Sequence, residues 1–75
     1  MPSHRVTPLT ERAWLALLDT EPEARAWAAA ARAHPWPAGW LEDVVLAYRS
    51  VAVFFTRDVL RCWSEIVGQL ESIEA

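Results

Sequence analysis

The sequence has no lysine, no asparagine, two glycines and one cysteine. Each shortage excludes something. A single thiol, Cys62, cannot form an intrachain disulfide, and with only His4 and His34 beside it no Cys/His metal spacing can be built. No Gly-rich loop is present to cradle a phosphate, and no nucleophile–His–acid spacing stands out. Neither cofactor, metal nor small-molecule substrate is therefore expected, and the chain does not read as an enzyme. The seven basic residues, all arginine, are outweighed by ten acidic ones, for a net charge of −3. Nucleic-acid binders ordinarily show the opposite balance. The longest apolar stretch, Val44 to Phe55, is broken by Arg49 and Ser50 and is too short for a bilayer. With no charged-then-apolar signal pattern, a cytoplasmic protein away from membranes is expected.

Apolar surface is what the chain has in abundance. Hydrophobic residues make up 53% of 75 positions, five of them tryptophan. A single domain of this size buries only about 60% of its unfolded surface. It lacks the staples that usually compensate, so burial against a second copy or another protein is favoured.

The pattern along the chain suggests helices. Residues 1–6 have no periodicity and read as a tail. Thr7 can cap a helix that begins at Pro8, with Glu11 in its first turn. Leu9, Ala13, Trp14, Leu17 and Leu18 would form its apolar face, giving a helix over about 8–19. Thr20 and Glu23 then have the spacing of a capping box, with Pro22 tolerable only in a first turn. A second, Ala-rich helix follows over 21–33, with Trp27 its one large apolar group and Arg25 and Arg32 facing water. Residues 34–40, His-Pro-Trp-Pro-Ala-Gly-Trp, cannot be helix interior and read as a rigid corner, with Gly39 free to take a positive φ.

Beyond the corner, Trp40, Val44, Tyr48, Val51, Phe55, Val59, Cys62, Ile66, Leu70 and Ile73 recur at close to the helical period. They predict a helix over 41–73, on the order of 50 Å long at about 1.5 Å per residue. The β-branched and aromatic residues of Val44–Phe55 also suit a strand, and Thr56-Arg57-Asp58 could begin a fresh helix. Strict alternation fails between Arg49 and Phe55, which favours the helix. Leu46, Val53 and Phe54 would lie on its back, leaving the first half apolar nearly all round. The fold class expected is all-α: two short N-terminal helices on one long C-terminal helix, in a dimeric helical bundle.

Chemistry-bearing residues have plain readings. Cys62 falls on the apolar stripe and reads as packed core. His34 reads as a helix-end or exposed residue. Arg61 is spaced to pair with Asp58 and Glu65. Trp36 and Trp40, framing Pro37-Ala38-Gly39, are the best candidates for a partner-binding patch, since tryptophan on a braced loop is a favoured interface anchor. Leu46, Val53 and Phe54 join them as candidate partner-binding residues. Residues 36–40 resemble, over that stretch alone, a tryptophan-bearing part of the MbtH-like accessory proteins of peptide synthetases. Those proteins carry it in a small β-sheet domain within a longer motif that this sequence lacks, so nothing is carried over. The function expected is a small non-catalytic protein–protein interaction module: an accessory subunit, regulator or phage-type inhibitor of a bacterial protein, working as a homodimer or on another protein. The alternatives are a helix-turn-helix DNA-binding regulator, disfavoured by Glu21 and Glu23 where phosphates would lie, and a structural subunit of a larger enzyme.

Overall fold

The computed structural model describes residues 5–73. They form an α+β fold, not an all-α one. Four strands, Arg5–Thr10 (β1), Ala13–Leu17 (β2), Leu41–Ala47 (β3) and Ser50–Phe55 (β4), make one antiparallel sheet in the order β1-β2-β4-β3. Helix Glu21–Ala33 (α1) connects the two hairpins. A 3-10 turn, Leu60–Cys62, leads into helix Trp63–Ser72 (α2).

The expected helix over 8–19 is a hairpin. Pro8 does not open a helix but lies on an edge strand opposite Trp14, where its missing N–H costs no ladder bond. Its partner strand, Ala-Trp-Leu-Ala-Leu, is apolar at every position, so no polar alternation marks it as a strand. Thr10 Oγ1 accepts from the Arg12 N–H at 3.1 Å and stabilises the turn between them. Residues 5 and 6, placed in a tail by the sequence reading, belong to β1; residues 1–4 of that tail lie outside the described residues.

The expected rod over 41–73 is likewise absent, and the longest dimension of the molecule is 30 Å. Its first half is the β3–β4 hairpin, turned at Tyr48-Arg49. Tyr48 takes a positive φ of 46° there. Arg49 therefore sits in the turn, and a test of alternation that runs through it counts parity across a chain reversal. Within β4 alternation is complete: Val51, Val53 and Phe55 are buried, while Ser50, Ala52 and Phe54 are half-buried on the other side. After Thr56 the chain bends and starts again, so the only helical part of the long segment is its end.

α1 occupies Glu21–Ala33, with Thr20 Oγ1 accepting from the Glu23 N–H at 3.2 Å. Only that half of the capping box forms; Glu23 Oε2 is buried with no hydrogen-bond partner. The small residues Ala24, Ala28 and Ala31 let the helix lie close on the sheet of its own chain, not on a second copy's helix. The corner at 34–40 is irregular, and Gly39 has φ 80°.

One core joins these parts. Trp14, Ala16, Val44, Val51 and Val53 from the sheet meet Ala24, Trp27, Ala28 and Ala31 of α1 and Ile66 and Leu70 of α2. Both helices thus cover the same side. The sheet ends are tied in by Phe55 N–H to Arg12 O at 2.7 Å, Val59 N–H to Glu11 O at 2.8 Å and Leu18 N–H to Arg49 O at 2.8 Å.

Candidate docking face

Cross-strand register defines what the other side of the sheet presents. Residues paired with the buried Trp14, Val53 and Val44, or with Ala16 and Val51, point to the helices. The alternate rows point away from them. Three such rows exist: Arg5, Leu17, Ser50 and Ala47; Thr7, Leu15, Ala52 and Val45; and Thr10, Ala13, Phe54 and Asp43. Leu15, Ala52 and Phe54 belong neither to the core nor to the side chains packed against it. Leu17 and Val45 are 46% and 45% exposed. Neither helix takes Leu15, Ala52 or Phe54 into the core. Ala13, in the third row, is fully buried, so the apolar surface left open is centred on the rows of Leu17 and Val45.

The face is bounded by charge at two diagonally opposite corners. Arg5 lies on edge strand β1 beside Leu17, and Asp43 on edge strand β3 beside Phe54. Both are exposed. The Asp43 carboxylate accepts the Val44 N–H through Oδ1 at 2.8 Å.

Both sheet edges are blunted. On β3, the outward N–H of Val44 is taken by Asp43 and its carbonyl accepts from Arg32 Nη2 at 2.9 Å. On β1, Pro8 offers no N–H and the register shifts between Pro8 and Thr10. Proline, a bulge and charged side chains are the usual means of discouraging strand addition.

The sequence-predicted partner residues are scattered by the fold. Val53 is 0% exposed and at the centre of the intramolecular core, so it presents nothing to a partner. Phe54, its neighbour, is on the open face. Leu46 is 36% exposed but lies on the helix side, at the sheet margin opposite Val51. Trp36 and Trp40 are half-buried and packed against the core. Trp36 donates from Nε1 to Ala31 O at 2.9 Å and meets His34 and Phe55 edge-on. The Arg57 guanidinium lies 4.9 Å from the Trp40 ring centroid. These two tryptophans seal the end of the core where α1 turns into β3. The sequence reading missed Leu15, Leu17, Val45 and Ala52, because face membership depends on register, which the helical reading could not supply.

The remaining candidates have structural surroundings. His34 Nε2 meets Gln69 Oε1 and so ties the end of α1 to α2. Cys62 packs against the core with Sγ 3.8 Å from Val59 O. Among the described residues the ion pair formed is Arg25–Glu21 at 2.6 Å. The expected pairs of Arg61 do not form, and Asp58 instead accepts the Leu60 N–H at 2.9 Å, where the 3-10 turn begins. A helix-turn-helix needs a helix where β1 and β2 lie. Among the described residues no helix is long and apolar enough to cross a membrane, and no group of three His, Cys, Asp or Glu is placed to hold a metal. The chain matches no known family model, no curated protein and no solved structure.

Proposed function

We propose that this chain is a non-catalytic protein-interaction domain, an accessory or regulatory component that takes a protein partner on the open face of its sheet. The supporting observation is the row Thr7, Leu15, Ala52 and Val45, flanked by Leu17 and Phe54 and left uncovered by either helix. A contiguous apolar patch of this kind is a standard mark of an association surface. Blunted edges favour side-chain docking over strand addition. A subunit of a larger enzyme falls within the same reading.

The test compares the unmodified chain with its Val45→Glu and Leu17→Glu variants, each first shown by circular dichroism to be folded. All three are used to retain proteins from a lysate of the source organism. The reading expects a specific co-purifying protein, which is a second copy of the chain or another protein, to be lost from both variants. Equal retention by all three would overturn the face as the docking surface.

A further inference from the structure

We propose that the open face binds a second copy of this chain, with the two sheets crossed at close to a right angle. This rests on the docking reading above and adds the occupant and its orientation. The observation behind it is the self-complementary placement of charge around the apolar rows.

Arg5 and Asp43 are three strands and four residues apart. With about 4.8 Å between strands and about 3.3 Å per residue, those separations are about 14 Å and about 13 Å. The face is thus nearly square, with opposite charges on one diagonal and Thr10 and Ala47 on the other. Two sheets meeting face to face around a two-fold axis can be aligned or crossed. An axis parallel to the strands sets Arg5 over Ala47 of the second copy and Asp43 over Thr10. An axis across the strands reverses those pairings and again leaves both charges against uncharged residues. An axis along the Thr10–Ala47 diagonal sets Arg5 of each copy over Asp43 of the other, twice. That same rotation brings Leu17 of one copy toward Val45 of the other. Both are exposed aliphatic side chains of the face.

One arrangement therefore satisfies charge and apolar burial together. Asp43 has its Oδ1 occupied by the Val44 N–H, which leaves the second carboxylate oxygen for the arginine. The charges fix orientation more than they add affinity. The paired region spans about 19 Å by about 17 Å, at the small end of specific interfaces. The dimer is accordingly one that dissociates on dilution.

The experiment is sedimentation velocity on the full chain from micromolar to about millimolar concentration, with charge reversal as the probe. Arg5→Asp and Asp43→Arg are each expected to weaken self-association at least about tenfold, since two attractive contacts become two repulsive ones. Mixing the two variants is expected to restore it. In the mixed pair one copy carries two acidic corners and the other two basic ones, so both contacts are again attractive. Val45→Glu should be folded and monomeric throughout. Asp43→Asn keeps the acceptor for the Val44 N–H and separates loss of charge from damage to the edge. A monomeric wild type over the whole range overturns the second copy as occupant; the docking reading is then decided by its own retention test. Dimerisation that survives Val45→Glu overturns the face. Dimerisation lost in Val45→Glu but not rescued by the mixture overturns the crossed orientation and with it this proposal.

Discussion

At the scale of single residues, adjacent valines and a tyrosine illustrate how position overrides type. Val53 faces the helices and is fully buried, whereas Val45, one strand over and opposite Ala52, faces away. A charge at Val53 would be buried without a partner, which is among the few changes that cost about 4 kcal/mol or more. Val53→Arg is therefore expected to give an unfolded or insoluble chain, and Val45→Glu a cooperative urea transition within about 1 kcal/mol of wild type. Equal behaviour of the two would show that the faces are misassigned. Tyr48 poses the opposite problem. It is 72% exposed yet holds a left-handed backbone conformation that costs an L-residue about 1–2 kcal/mol. Its recorded ring contact is Arg49, at 6.0 Å from the centroid. Glycine adopts that conformation freely but loses about 0.5–1 kcal/mol to chain entropy. Tyr48→Gly is thus expected to stabilise by about 0.5 kcal/mol, seen as a higher urea midpoint at unchanged slope.

Elements differ in how much of them the sequence discloses, and the difference follows from their punctuation. α1 is legible because its start is written in local chemistry: Thr20 supplies the cap, Pro22 fits only a first turn, and alanines carry the rest. The corner at 34–40 is legible for the same reason, through two prolines and Gly39. The strands lack such marks. Their hairpin tip is Tyr48-Arg49 instead of an Asn-Gly or Asp-Gly pair, so no turn signal separates β3 from β4. The open face adds to the concealment. A strand apolar on both sides loses the in–out alternation that distinguishes it, as β2 and much of β4 do. The candidate site was thus hidden by the property that makes it a candidate; of its members, only Phe54 was singled out from sequence. The edges carry a further consequence. Arg32, which the sequence places in water, spans from α1 to the Val44 carbonyl and closes the middle of β3. Arg32→Ala should cost about 1 kcal/mol of stability through that lost bond and leave an edge carbonyl open to strand pairing. Faster thioflavin-positive aggregation than wild type, at equal concentration and temperature, is the expected result; an unchanged rate would mean that Arg32 does not guard the edge.

For the whole molecule, the small size of the chain makes association and stability one problem. A domain this short buries a modest fraction of its surface, and its core is a single layer of side chains between one sheet and two helices. Surplus apolar residues do not extend along a rod, as the helical period suggests, in a molecule 30 Å in its longest dimension. Some of them, Leu17 and Val45 with Leu15, Ala52 and Phe54, share the side of the sheet away from the helices, while others such as Trp63 and Leu60 are exposed elsewhere. Any species that binds this face in the native state and not in the unfolded one raises stability by mass action, by about 2.7 kcal/mol when present at a hundred times its dissociation constant. If that species is a second copy, the chain becomes its own ligand. Its thermal midpoint should then climb with protein concentration, while that of Val45→Glu should not. Measuring both midpoints across the concentration range used for sedimentation checks this. The wild type is expected to separate progressively from the variant as concentration increases and to converge on it at high dilution, where both are monomers. Parallel, concentration-independent midpoints would mean that the native fold gains nothing from its own kind, and that its open face is stable bare.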